Sequence, residues 1–205
     1  MGNHKMFRYK SLEELRQEIV NEDLHIQLTD DLSPLRNTVK IGHLTTSNAM
    51  AVLPMEGCDC NPDGSMSDLT KRRYLRFAKG GSSLIWWEAN AVVEEGKANP
   101  RALMLNKENL TSFREFVKES KQAAKEANDV SLINILQLTH SGRYSRPGED
   151  RAPMVAFRDP MLDGRSGVIS DEQVVTDEYL DSLTEKYVQS AICLLYTSPS
   201  PRDCS

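Results

Sequence analysis

Near-continuous apolar runs, each followed by a stretch of helical spacing, recur three times along this chain. The first run, residues 49–53 (Ala-Met-Ala-Val-Leu), closes at Pro54. Runs that do not alternate suit strands covered on both faces, as in a parallel sheet. A turn-rich stretch through Asn61, Pro62, Asp63 and Gly64 follows. Helical spacing then covers residues 69–79, with Tyr74, Phe77 and Ala78 on the apolar side and Gly80-Gly81 as the stop. The second run holds Leu84, Ile85, Trp86 and Trp87 and continues to Val92. Its helix spans residues 107–127, capped by Asn106, with Leu110, Phe113, Phe116, Val117, Ala124 and Ala127 on one stripe. The third run, residues 132–136 (Leu-Ile-Asn-Ile-Leu), leads into Gln137, Leu138, Thr139 and His140. A loop of about 35 residues follows, long enough to carry function or to act as a lid. Thr176 caps the last helix, Asp177 and Glu178 sit in its positive first turn, and Tyr179, Leu180, Leu183, Tyr187 and Ala191 form its buried stripe.

Two smaller elements precede this alternation. Leu12, Leu15 and Ile19 at helical spacing, with Ser11 and Glu14 placed as a capping box, predict a short amphipathic helix. Residues 38–47 alternate around Gly42 and predict a hairpin. Each strand-helix unit takes about 48 residues, so eight would need about 384, inside the range of a (β/α)8 barrel with insertions. A doubly wound sheet competes, but the first strand ends in Pro54, Met55, Glu56 and Gly57 with no glycine fingerprint for phosphate. The expected fold is α/β: the N-terminal three β/α units of a truncated (β/α)8 TIM barrel, with an N-terminal helix and a β-hairpin. Residues 1–37 read as a leader and 38–192 as the partial barrel.

Composition narrows the function classes. Thirty acids against 25 bases in 205 residues give a net charge of -5. Nucleic-acid binding would need clustered Lys and Arg on one face, so it is not expected. No apolar window reaches membrane-spanning length and the N-terminus lacks the apolar stretch of a signal peptide, so no membrane partner and a cytoplasmic location are expected. Four cysteines do not make a disulfide framework at this length.

Residues 193–205 stand apart. Back-translated, residues 193–203 resemble a transposase-type sequencing adapter read in frame. The segment reads as a non-native tail, native sequence then stopping near Ile192 and leaving Cys58 and Cys60 as the native cysteines.

Polar side chains cluster where the three strands end: Glu56, then Glu88 and Asn90, then Gln137 and His140. Buried carboxylates and amides need partners, either one another, water or a ligand. Gln137 carries both donor and acceptor, which suits the edge of a heterocycle with alternate N–H and C=O groups; a core glutamine tied to backbone is the other reading. Glu56 either faces a ligand, caps a loop or pairs with Arg143, and Glu88 with Arg143 is a candidate brace between strands two and three. His140 reads as packing. Cys58 and Cys60 have no second Cys or His pair, so no metal site is expected. Trp86 and Trp87 read as core, with Trp87 also placed to approach a planar ligand. Arg143, Arg146, Arg151, Arg158 and Arg165 either line an entrance for an anionic group or are solvated. A hydrolase or aldolase barrel would want His-x-His, a carboxylate cluster or a strand-end Lys, none of which is present; a non-catalytic interaction module remains open.

Several motifs follow one another along the chain: Leu53-Pro-Met55, Gly80-Gly-x-x-Leu-Ile85, Glu88-Ala89, Gly96-x-x-Asn-Pro100, Gln137-Leu-Thr-His-Ser-Gly-Arg143 and Ala152-Pro-Met-Val-Ala-Phe157. Their order and spacing resemble the N-terminal half of the Old Yellow Enzyme family of FMN-dependent oxidoreductases. The resemblance covers roughly residues 35–192. It implies FMN as cofactor, NADH or NADPH as reductant, and a small-molecule substrate such as an α,β-unsaturated carbonyl compound. It also implies flavin contacts from Pro54, Met55, Glu56, Ala89 and Gln137. The family commonly has Thr or Cys where Glu56 stands, and a carboxylate there disfavours an anionic reduced flavin unless protonated or turned away. The family's catalytic groups, a His/Asn or His/His pair and a Tyr, fall at or after strand four, so no catalytic residue is expected within these residues.

Overall fold

The computed structural model describes residues 6–168 and 170–195, the last three by backbone only. From residue 196 on, the expected non-native tail lies outside the described residues. The chain divides into two compact units between Leu35 and Arg36. In the first, helix α1 (Leu12–Asn21) starts at Ser11, whose side chain accepts the Glu14 N–H at 3.2 Å. Glu14 completes a shifted version of the expected box, accepting from the amide of Lys10 at 2.9 Å. No residue of α1 is buried.

In the second unit, β1 (Lys40–Ile41) and β2 (Leu44–Thr45) form the expected antiparallel hairpin. Gly42 has φ 59, which its missing Cβ permits. The larger sheet is β3 (Ala51–Val52), β4 (Leu84–Ala91) and β5 (Ile133–Thr139), in that order and all parallel. Helices α2 (Asp68–Lys79) and α3 (Leu110–Asn128) make the crossovers, and α4 (Pro160–Ser166) and α5 (Asp177–Leu195) follow β5. This is a mixed α/β fold in which strands alternate with helices.

The helix-facing side of the sheet holds the core. Ile85 and Trp87 of β4 pack with Tyr74 and Ala78 of α2 and Phe113, Phe116, Ala123 and Ala124 of α3. Trp87 stacks on Tyr74 at 4.1 Å between centroids and meets Phe116 edge-on at 5.9 Å. Its indole N–H donates to Asn134 Oδ1 at 2.9 Å, which satisfies the polar end of a fully buried ring. Trp87 is therefore core and does not reach a ligand face.

Several boundaries differ from the sequence reading. Instead of a strand covered on both faces, the first run forms a β3 of two residues, and Leu53 is 74% exposed. Among the described residues β3 is an edge strand, paired with β4 alone. The left-handed stop after α2 is Gly81 at φ 92, because Gly80 is still right-handed at φ -77. Helix α3 begins three residues later than expected, since Asn106 and Asn109 exchange side-chain-to-backbone bonds that hold a turn before it. Ala123 takes the buried place assigned to Ala127, which is exposed. The long third loop is built: it contains α4, capped by Asp159, and a Val155–Val174 bridge.

One irregularity interrupts the ladder between β4 and β5. The register runs Trp86 opposite Ile135 and then Ala89 opposite Gln137, so Trp87 and Glu88 together face Leu136. A one-residue bulge of this kind reverses the alternation beyond it.

Candidate functional site

Without the bulge, Ala89 would share the helix-facing side with Ile85 and Trp87. With it, Ala89 joins Leu84 and Trp86 on the opposite, open side, next to Gln137 at the same register level. Both are at the C-terminal ends of parallel strands, with Gln137 half-buried. Among the described residues no hydrogen bond engages the Gln137 side chain, so the reading of a core glutamine tied to backbone is not what the structure holds. Trp86, 41% exposed, lies below them on the open face.

Pro54, Met55 and Glu56 follow β3 and are exposed, Met55 by 78%. Glu56 has no ion-pair partner among the described residues. Desolvation and then the neighbouring Glu88 raise its pKa above the usual carboxylate value. The structure thus brings Ala89 and Gln137 side by side and leaves residues 54–56 as an adjoining exposed segment. That arrangement fits the edge of a planar heterocycle: an amide with free donor and acceptor, a small residue beside it, and accessible backbone.

The bulge also sends Glu88 toward α2, where it is 1% exposed. The expected brace to Arg143 does not form. Arg73 supplies the charge instead, its Nη2 donating to Glu88 Oε1 at 2.6 Å and to Asp59 Oδ1 at 2.8 Å, with Nε on Asp59 Oδ2 at 2.9 Å. Tyr74 donates its hydroxyl to Glu88 Oε1 at 3.2 Å and accepts the Glu88 amide at 2.9 Å. The Gly57 amide donates to Glu88 Oε2 at 2.9 Å. Sequence reasoning misses Arg73. The signal is Glu88 itself, a carboxylate in a buried strand that requires a cation nearby.

Asp59, Cys60 and Glu88 bring potential ligand atoms within 4.8 Å of one another. Arg73 already lies between the two carboxylates, and burial lifts the Cys60 thiol to about 12, so thiolate for a metal is scarce.

Arg143 is engaged elsewhere. It pairs closely with Asp163, to which Arg158 also donates at 2.7 Å while reaching Asp171 at 2.8 Å. The Glu56–Arg143 pair, one of the alternatives for Glu56, does not form either. Arg151 bonds the Arg165 carbonyl and Arg146 the Glu149 carbonyl, so these arginines brace the third loop. Burial alone would raise the Asp163 carboxyl, but hydrogen bonds from Arg158 and Arg143 outweigh it and hold the group at about 2, below the ordinary 3.8. A depressed folded-state pKa contributes stability that is complete above about pH 4 and lost as pH falls through about 2. Deuterium uptake by residues 158–168, corrected for intrinsic rates, is expected to rise across that window; uptake unchanged from pH 4 to 2 would contradict it. Asp163→Asn should show the raised uptake already at neutral pH.

His140 is the packing residue the sequence suggested. Its Nδ1 accepts the Gly142 amide at 3.0 Å, which leaves Nε2 to donate to Tyr179 Oη at 3.0 Å; Tyr179 donates to Glu95 at 3.0 Å. Burial lowers the His140 pKa. This chain of bonds ties α5 to the ends of β4 and β5. Lys97, fully buried, joins two loops through Pro62 O and Glu94, each at 2.8 Å. No described helix is long and apolar enough to cross a membrane.

No family model matches the chain. No curated protein matches it either. Solved structures do. Old Yellow Enzyme from Pichia sp. AKU4542 aligns with a TM-score of 0.58 and 16% identity, over 80% of this chain and 43% of that one. The Old Yellow Enzyme homologue from Zymomonas mobilis gives 0.44 and 19%, over 65% and 31%. A 2-naphthoyl-CoA reductase complex gives 0.49 and 20%, over 56% and 17%. The likeness to the Pichia enzyme is one of fold: the parallel three-stranded sheet and its helices correspond to part of the Old Yellow Enzyme barrel. The chain spans less than half the length of each of these proteins.

Proposed function

We propose that this chain is the N-terminal part of an FMN-dependent NAD(P)H oxidoreductase of the Old Yellow Enzyme kind, its three strand-helix units forming one wall of the flavin site in a (β/α)8 barrel. The observation that carries this is the bulge in β4, which sets Ala89 beside the unengaged Gln137 on the open face at the strand ends. The barrel-like fold and the motifs at those positions support the same reading. Gln137 would hydrogen-bond the pyrimidine edge of the isoalloxazine, while Ala89, Pro54, Met55 and Glu56 would line it. When bound, FMN supplies the hydride chemistry by which NADH or NADPH reduces an activated alkene, such as an α,β-unsaturated carbonyl compound. This wall orients the cofactor and excludes water from one side; the groups that polarise and protonate substrate belong to later units. A small-molecule substrate, a cytoplasmic location and no nucleic-acid or membrane partner go with this proposal.

The test is an amide chemical-shift titration of the chain with millimolar FMN. Weak binding is expected, with shifts concentrated at residues 54–57, 89 and 137 and removed by Gln137→Leu. Shifts elsewhere, or none, would overturn the reading. NADH oxidation by the chain and FMN above the rate of FMN alone would contradict its being one wall of an incomplete site.

A further inference from the structure

Residues 54–57 leave β3 as an exposed segment with little of its own to hold it. Pro54 has no amide hydrogen, and Met55 and Glu56 lie in the open. Among the described residues, the Gly57 amide bond to Glu88 Oε2 is the one hydrogen bond formed outside the strand ladder by residues 54–57. An exposed segment with a single anchor takes its conformation from that anchor.

The anchor is itself fixed from three sides. Glu88 is buried, and its other carboxylate oxygen accepts from Arg73 and Tyr74. Arg73 is held as a fork by both oxygens of Asp59, and Asp59 also accepts from Thr70 at 2.9 Å. Charge-assisted and bidentate bonds of this kind are the strong and directional ones. The guanidinium passes directly behind Gly57: a Cβ there would lie 2.2 Å from Arg73 Nη2. Glycine at this position leaves room for the arginine. The next residue, Cys58, has φ 48, a left-handed conformation that a cysteine keeps when its surroundings impose it.

We infer that Glu88 is a positioning residue: through the Gly57 amide it sets where Met55 and Glu56 present their backbone to a planar ligand, with Arg73 and Asp59 fixing Glu88 in turn. The cofactor side of this inference rests on the proposed flavin site; the clasp itself does not. The bulge gives β4 two outputs, Ala89 to the ligand face directly and Glu88 to the same ligand edge by way of the β3 loop.

Amide exchange measured by NMR separates the two. In Glu88→Ala the Gly57 amide is expected to exchange about tenfold faster or more, as loss of a buried charge-assisted acceptor implies. Glu88→Gln keeps an acceptor for that amide and should restore most of the protection, a rescue that general loosening of the fold would not produce. Gly57→Ala is the second variant: it pushes Arg73 aside while keeping the Glu88 side chain, and exchange at position 57 should rise more than that of Trp86 and Ala89. Unchanged Gly57 exchange in Glu88→Ala, or equal acceleration across α2 and β4 in all three variants, overturns the clasp. With FMN present, loss of the Met55 shift but not the Gln137 shift in Glu88→Ala supports the positioning role, and retention of both overturns it. If wild type shows no FMN shifts, the flavin reading fails, while the exchange data still decide the clasp.

Discussion

Trp87→Ala is expected to destabilise the second unit by about 3–5 kcal/mol, read as a lower urea midpoint at unchanged slope. The ring is fully buried, stacked on Tyr74 at 4.1 Å and flanked by Phe113 and Phe116 at 6.1 and 5.9 Å. Its removal opens a cavity at the junction of β4, α2 and α3. It also leaves Asn134 Oδ1 without its indole donor, in a residue whose Nδ2 is already a buried atom with no partner among the described residues. Trp86→Ala is the control. The same residue type one position away points to the open face with 41% exposure, and its loss should cost about 1–2 kcal/mol. Equal effects of the two substitutions would mean that the faces of β4 are assigned wrongly.

Arg73→Met is the second large effect, about 3–5 kcal/mol, because it strands the Glu88 carboxylate in a site with 1% exposure. Asp59, part-exposed, loses the same partner. The pair as such adds less than this figure suggests, since both charges were taken out of water to form it. Arg73→Met combined with Glu88→Gln should therefore recover much of the loss, and the difference measures the coupling. Lys125→Met is the comparison: it breaks an ion pair with Asp129 in which both side chains are exposed, and should leave the urea midpoint close to that of wild type. A cost for Arg73→Met no larger than that of Lys125→Met would remove the case for a buried network.

These two residues also show how far the sequence reaches. Tyr74, Ala78, Phe113, Phe116 and Ala124 are legible as core because helical spacing places them on single faces, and burial follows from that periodicity. Thr176 is legible as a cap for a similar local reason: its hydroxyl accepts the Tyr179 amide at 3.2 Å, a bond made within one turn. Leu53 misleads, because an unalternating apolar run says that a strand would accept cover on both faces, not that the described residues provide it. Arg143 misleads and Arg73 is missed because an ion pair joins residues distant in sequence, and charge alone does not select between candidates. Glu88 requires a cation; whether that is Arg73 or Arg143 depends on which side of the sheet the carboxylate takes.

The sequence by itself determined the alternation of three strands with helices, the faces of α2 and α3, the hairpin, and the strand ends as the place where polar chemistry gathers. These follow from periodicity, turn residues and caps, all of which act over a few neighbouring residues. The tertiary structure decided the face of each residue beyond Trp87. Period-two alternation would put Ala89 with the core and Glu88 on the open side. The bulge reverses both, because Glu88 is drawn to Arg73, Tyr74 and the Gly57 amide. That choice is made by partners 14 to 31 positions away in the chain, and no local pattern encodes it.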